Sequence, residues 1–268
     1  MEDTNDISGG YIEHEFVSEY YDYILPYVED ISFYVDQALQ SGGPVLELAS
    51  GTGRTLIPIA KAGIDITGMD ISSRMLGLCR SKIEKESKNT QSRITLVEGD
   101  MKDFDLGKTF PLVTIPYASF TYLTGVDDQL SCLEKVCRHL EPGGSFFMTL
   151  FNESVEALAD NSVFNEFDIT PEFTMPDGRR VYRRFRYVER DYTRQVEVKE
   201  SIFYVTRPDG KKERLVHRFS MRYFFSFELV HLLARAGLEV TGLYSDYDGT
   251  PHDATIKDGM IIVTAEKA

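Results

Sequence analysis

The chain has 268 residues, enough for one large domain or one domain carrying a substantial insertion. Its 29 basic residues against 43 acidic ones leave a formal charge of −14, which argues against nucleic acid or an anionic membrane as a partner. No stretch approaches the about 18 apolar residues of a membrane helix. The acidic start Met1-Glu2-Asp3-Thr4-Asn5-Asp6 also lacks a basic-then-apolar signal segment, so a cytoplasmic protein is expected.

An aromatic cluster, Tyr20-Tyr21-Asp22-Tyr23, comes first, with Tyr27 and Asp30 to Tyr34 behind it. It reads as an aromatic helix face that packs on a core. Next comes Val45-Leu46-Glu47-Leu48-Ala49-Ser50-Gly51-Thr52-Gly53-Arg54. A short apolar run, a glycine turn and an amphipathic stretch from Thr55 to Ala62 spell strand, turn and helix, the opening of an α/β nucleotide-type site. Glycine at 51 and 53 permits positive φ and close approach of a ligand. A dinucleotide fingerprint wants a small residue three after Gly53, where Leu56 stands. A phosphate loop wants Gly-Lys-Ser/Thr, where Gly53-Arg54-Thr55 stands. Glu47 suits an ammonium or sulfonium better than a pyrophosphate.

A second strand, Asp65 to Asp70, ends in a carboxylate placed either to hold ribose hydroxyls or to cap the next helix, for which Ser72 is a plausible N-cap. The polar run Lys85 to Ser92 reads as a loop. A third strand, Ile94 to Val97, runs into Glu98-Gly99-Asp100-Met101, and a fourth, Leu112 to Ile115, into Pro116-Tyr117-Ala118-Ser119-Phe120. A helix from Asp127 to Leu140, a Glu141-Pro142-Gly143-Gly144 turn and a fifth strand from Ser145 to Leu150 follow. Cys79, Cys132 and Cys137 stand singly in helical stretches, as packing cysteines of a reducing compartment do. No His/Cys cluster has metal-ligand spacing, so no metal site is expected.

This series resembles the class I S-adenosylmethionine-dependent methyltransferases, from about Tyr21 to Phe151 and again from Phe224 onward. The resemblance implies an α/β fold, a Rossmann-like doubly wound seven-stranded, mostly parallel sheet, with S-adenosylmethionine as cofactor. It implies that Glu47, Ala49, Gly51 and Gly53 take the methionyl part. Asp70 would hold the ribose, Asp100 and Met101 the adenine, and Ile115 and Tyr117 would lie beneath the methionine moiety. Tyr21 resembles a position that folds over the cofactor. Ala49 and Ser50 depart from the family's glycine and frequent cysteine. Ile115-Pro116-Tyr117 supplies neither the acidic metal ligands of catechol-type enzymes nor the Asp or Asn of enzymes acting on DNA amines.

Between strand five and Ser226 the pattern becomes an antiparallel meander of three or more strands: Val181 to Arg190, Val196 to Thr206 and Arg214 to Phe225. The expected division is therefore a core of 1–151 and 224–268 and a β insertion of 152–223 that acts as a substrate lid. Period-two counting puts Arg180, Arg184, Arg186 and Arg190 on one face. That face either recognises an anionic group or is a solvated surface balanced by Glu189, Glu197, Glu200 and Glu213. The core resumes with a helix from Ser226 to Ala236 and strands from Leu238 to Tyr247 and Gly259 to Glu266. No general base announces itself; Tyr21 and His217 are the catalytic candidates, with His14 and Tyr223 behind them. The expected activity is methyl transfer to a small molecule, amine nitrogen ahead of oxygen. A protein side chain as acceptor, a regulatory protein that binds the cofactor without turnover, and a nicotinamide oxidoreductase are the alternatives. A homodimer is one expected assembly.

Overall fold

The computed structural model describes residues 15–24, 29–253 and 259–267. His14, Tyr27 and the acidic first residues lie outside the described residues. Two compact units divide the chain: residues 1–26 with 158–222, and residues 27–157 with 223–268.

The larger unit opens with helix α2 (Glu29–Ser41), which follows α1 (Glu15–Ile24) of the other unit. It continues as β1 (Val45–Leu48), α3 (Leu56–Lys61), β2 (Ile66–Asp70), α4 (Ser73–Ile83), α5 (Lys88–Gln91), β3 (Ile94–Glu98), β4 (Phe110–Ile115), α6 (Val126–His139) and β5 (Leu140–Phe151). Within α7 (Val155–Ala159) the chain passes to the second unit, and it returns with α8 (Ser226–Arg235), β10 (Leu238–Tyr244) and β11 (Met260–Lys267). The sheet order is β10-β11-β5-β4-β1-β2-β3. Strands β1 to β5 are parallel; β11 runs antiparallel to both β5 and β10. The expected seven-stranded, mostly parallel sheet is therefore observed.

Helices on both faces explain why β1 and β2 are buried at every residue, Glu47, Thr67 and Asp70 included, rather than alternating. One face packs Phe110, Phe146 and Val113 with α6 and α8 through Leu133, Val136, Leu229 and Leu233. The other packs Val45, Leu112 and Phe147 with α2 and α3 through Tyr34, Leu56 and Ile59. Each such large apolar side chain contributes about 1.5–3 kcal/mol on burial.

Leu56, the residue that breaks the dinucleotide pattern, fits because the small residue lies on the strand instead. A Cβ on Gly68 of β2 would sit 2.1 Å from Leu56 Cδ1 and 2.9 Å from Ser50 Oγ. Helix and strand therefore approach closely through Gly68, with the bulk on the helix.

Three of the differences from the expected boundaries have a local cause. Lys88–Gln91 forms a short helix because Ser87 caps it, its hydroxyl accepting from the Thr90 N–H. The Glu141-to-Gly144 segment stays within β5, as an irregularity that shifts the β4–β5 register between Phe110 and Leu112. Strand β10 stops at Tyr244, since the Ser245 N–H bonds back to Thr250 O at 2.9 Å and Asp246 accepts two N–H groups of the turn.

The smaller unit is a four-stranded antiparallel sheet in the order β6 (Phe167–Thr174), β7 (Arg180–Asp191), β8 (Val196–Thr206) and β9 (Lys212–Arg222). Helix α1 belongs to it: Phe16 and Tyr20 pack on Phe203 at 5.6 and 5.4 Å between ring centroids. Arg179 pairs with Glu19 and lies over the Tyr20 ring.

The four arginines of β7 do not share one face. A bulge between Tyr187 and Glu189 shifts the register, so Arg186 pairs across from Glu200 but Arg190 from Glu197, on opposite sides of β8. Arg180 is exposed, Arg184 and Arg186 are half-buried, and the three pair with Glu172, Asp168 and Glu200. Arg190 is buried with Glu197 at 2.6 Å, and Lys199 reaches the other Glu197 oxygen at 2.8 Å. Those three arginines are therefore balanced by carboxylates rather than left as an anion receptor.

Adding a methyl group at Gly68 tests the close packing of α3 on β2. Gly68→Ala is expected to cost about 1–3 kcal/mol in denaturant unfolding. The double variant Gly68→Ala/Leu56→Ala should lose less than the sum of the two single changes, because removing the leucine makes room. Strict additivity would show that the contact is not what excludes the Cβ.

Candidate functional site

Between β1 and β4 the strand order reverses: β2 and β3 lie to one side, β5, β11 and β10 to the other. Chains leaving the carboxyl ends of β1 and β4 diverge there, and open α/β sheets bind ligands in the resulting crevice.

The chain leaves β1 through alternating left-handed residues: Ala49 at φ +56°, Gly51 at +54° and Gly53 at +81°. The two glycines have different reasons. A Cβ on Gly51 would meet nothing within 4 Å, so the backbone here borders open space. A Cβ on Gly53 would collide with Cys79 Sγ of α4 at 2.6 Å. Ala49 explains the family preference for glycine at this position, since a left-handed alanine costs about 1–2 kcal/mol.

The exit from β4 is strained in the same way. Tyr117 and Ala118 are consecutive left-handed residues, at φ +51° and +58°. Thr149 of β5 holds both: its hydroxyl accepts from the Tyr117 N–H at 2.7 Å, and its carbonyl from the Ala118 N–H at 2.9 Å. Such strain persists only where neighbouring bonds over-determine the backbone. Of the four non-glycine residues with positive φ among the described residues, three lie at these two strand ends; the fourth, Gln195, turns the β7–β8 hairpin.

Asp70 ties the turn to β2. One carboxylate oxygen accepts from the Gly51 N–H at 2.8 Å, and the other from the Ser72 N–H at 2.8 Å. Burial raises its carboxyl above the ordinary value, against the pull of those two bonds. The alternatives of cap and ligand group merge here, because Asp70 starts the turn toward α4 while Ser72 caps that helix through the Met75 N–H.

Glu47 is 1% exposed. One of its oxygens accepts from the Thr55 hydroxyl at 2.8 Å, and the other, Oε1, has no hydrogen-bond partner in the protein. Burial pushes this carboxyl up to about 8; the Thr55 bond and Arg54 pull it down, while Asp30 and Asp70 push it up. Ser50 Oγ and Thr114 Oγ1, at the same ends of β1 and β4, are likewise buried without partners.

The remaining expected residues are placed as follows. Asp100 follows β3 and accepts from the Lys102 N–H at 3.1 Å; Met101 packs against the core. Ile115 ends β4 fully buried. Tyr21 on α1 and His217 on β9 belong to the smaller unit, where His217 is buried and stacks on Phe219 at 4.9 Å. Tyr223 is buried at the return to the larger unit. Among the described residues no group of three or more His, Cys, Asp or Glu is arranged to hold a metal ion, and no helix is long and apolar enough to cross a membrane.

Sequence reading missed Asp30, Arg54 and Thr149. Arg54 donates through both terminal nitrogens to the two oxygens of Asp30, at 2.5 and 2.7 Å, and its guanidinium lies 5.1 Å from the Tyr117 ring centroid. Asp30 is fully buried on α2. Its only signal in the sequence was an acid at the start of an apolar-patterned helix.

Known proteins resemble this chain in sequence and in fold. A family model described as a methyltransferase domain matches residues 45–144. A cypemycin N-terminal methyltransferase from Streptomyces sp is 27% identical over 223 residues, 83% of this chain and 83% of that protein. The dTDP-3-amino-3,4,6-trideoxy-alpha-D-glucopyranose N,N-dimethyltransferase of Streptomyces venezuelae is 28% identical over 227 residues, 83% of this chain and 84% of that one. Among solved structures, the CcbJ methyltransferase from Streptomyces caelestis shares the fold with a TM-score of 0.78 at 22% identity, covering 94% of this chain and 96% of the other. Residues 45–144 thus match a methyltransferase domain, and the chain has the fold of the class I S-adenosylmethionine-dependent methyltransferases. It is an enzyme of that class, and S-adenosylmethionine is its cofactor.

Glu47 makes stability depend on pH. The folded chain keeps a proton there that the unfolded chain releases above about 4.5, so this group's contribution is full below that value and is lost as pH rises toward about 8. Without cofactor, the melting temperature should fall between pH 5 and 8 more steeply for the wild type than for Glu47→Gln. Parallel curves for the two proteins would rule out Glu47 as the source.

Proposed function

We propose that this enzyme methylates an amine nitrogen of a small molecule, with the cofactor held by the ends of β1 to β4. The observation that carries the cofactor placement is the buried, half-satisfied Glu47 beside the open space at Gly51. When bound, S-adenosylmethionine supplies a methyl group on a sulfonium, which transfers by in-line displacement. The residues present fit such a ligand. Glu47 Oε1 would accept from the α-ammonium group, and a carboxylate without a charged partner suits a cation. The left-handed turn from Ala49 to Gly53 would receive the methionyl part without side-chain obstruction. Asp70, already fixed by two N–H donors, would offer its remaining lone pairs to the ribose hydroxyls. Asp100 and Met101 would flank the adenine. Ile115 and Tyr117, the latter pinned by Thr149, would form the floor under the methionine moiety.

An amine is the preferred acceptor because both curated relatives described above are named for nitrogen, one for an N-terminus and one for an amino sugar. An amine needs a neutral lone pair and a route for proton loss, and we assign no side chain as a general base. The three free cysteines fit a reducing compartment, and we place the enzyme in the cytoplasm.

The test is turnover. The enzyme, S-adenosylmethionine and a panel of amino-sugar nucleotides and peptide amines, each beside its hydroxyl counterpart, should yield S-adenosylhomocysteine and methylated amine by mass spectrometry. Turnover of hydroxyl acceptors alone would overturn the amine assignment. Asp70→Ala should weaken S-adenosylhomocysteine binding by about 1.5–3 kcal/mol, roughly 10- to 150-fold, in calorimetric titration. Unchanged affinity in a folded variant would remove Asp70 from the cofactor site.

A further inference from the structure

We propose that Asp30 is a positioning residue for the cofactor site: by locking Arg54 it leaves Glu47 without a counter-cation, so that Glu47 gives up a proton when a cationic ligand arrives. This rests on the placement of the cofactor's ammonium group at Glu47.

The argument is one of local charge. The groups facing Glu47 come from four elements and the turn. Arg54 and Thr55 lie at the start of α3, Asp70 on β2, Asp30 and Tyr34 on α2, and Cys79 on α4. Burial holds the Tyr34 phenol well above its ordinary range and pushes the Cys79 thiol up to about 12, so both are neutral. Asp70 spends both oxygens on backbone N–H groups of Gly51 and Ser72. Arg54 is the cation of the set, and both its terminal nitrogens are committed to Asp30, which is fully buried. A bidentate pair of this kind is strong and fixed in direction. Glu47 therefore receives a single neutral hydroxyl, from Thr55, and one oxygen stays unpaired.

A carboxyl in that position has two ways to avoid an uncompensated buried charge: keep its proton, or meet a cation from outside. Burial favours the first in the free protein, with the carboxyl held at about 8. An ammonium ligand favours the second. Binding then breaks the O–H bond of Glu47, the electron pair stays on the carboxylate, and the proton passes to the buffer. Without Asp30, the positive field of Arg54 at Glu47 would be offset only by burial and by Asp70. Glu47 would hold its proton less tightly in the free protein, and the uncompensated Arg54 charge would compete with the incoming ammonium group for its carboxylate.

Isothermal titration calorimetry with S-adenosylhomocysteine reads this directly. This probe has the α-ammonium group but no sulfonium. Titrations near pH 7 in two buffers of different protonation enthalpy give the number of protons released. The wild type should release close to one proton per ligand, and Glu47→Gln none. Asp30→Asn should release less than half as much and bind about tenfold more weakly. Restoring the balance in Asp30→Asn/Arg54→Gln should bring proton release back to the wild-type level, which a purely structural role for the pair would not do. The double variant also carries the test if Asp30→Asn does not fold. Ligand binding by the wild type with no proton release would overturn this proposal and leave the cofactor reading standing. Absence of any S-adenosylhomocysteine binding would overturn both. Wild-type release from Asp30→Asn, or none from the double variant, would remove Asp30 from the mechanism.

Discussion

The site depends on one constraint: at the carboxyl ends of β1 and β4 the chain must part in opposite directions. Both exits turn through left-handed residues. At β1 the strain is shared by Ala49, Gly51 and Gly53, and the Asp70 carboxylate holds the middle of the turn through the Gly51 N–H. At β4 it falls on Tyr117 and Ala118, and Thr149 secures both N–H groups. The polar atoms left unpaired nearby, on Glu47, Ser50 and Thr114, lie where the strands end.

Charge is distributed with the same economy of partners. Despite its net charge of −14, the chain spends its cations locally. Arg180, Arg184 and Arg186 of β7 face carboxylates, Glu197 is bracketed by Arg190 and Lys199 in the interior, and Arg54 is clasped by Asp30. Buried pairs of this kind add little net stability, since desolvation offsets their attraction, but breaking one leaves a charge stranded. They hold geometry more than they add energy. In the larger unit the geometry held is the turn, through Arg54, and the Tyr117 segment beneath that guanidinium.

The two units are built on different rules, visible in their strands. Those at the centre of the parallel sheet are mostly apolar and buried without alternation, because helices cover both faces. Those of the antiparallel sheet alternate charged, aromatic and apolar residues, and cross-strand pairs specify their register. Helix α1 joins the second kind, with Phe16 and Tyr20 packed on Phe203. That is why a sequence boundary drawn at the last strand of the core placed this helix with the parallel sheet.

Much of this was legible in the sequence, for a physical reason. Backbone-level requirements leave local marks: a buried parallel strand must be apolar, a left-handed turn favours glycine, and a helix N-terminus needs an acceptor such as Ser72. Five parallel strands, the turn and the order of acidic strand ends followed from those marks. Tertiary structure alone decided which side chains met. Nothing local in Leu56 says that Gly68 will make room for it, or in Asp30 that Arg54 will be its partner. Nothing in Thr149 announces two N–H groups of a strained neighbour. A single bulged residue after Tyr187 moved Arg190 from the expected exposed face to the interior, because side-chain direction in a strand has period two and one extra residue inverts it. Local chemistry determined the backbone path; the pairing of distant side chains, set by packing and by the need to neutralise buried charge, existed only once the path had closed.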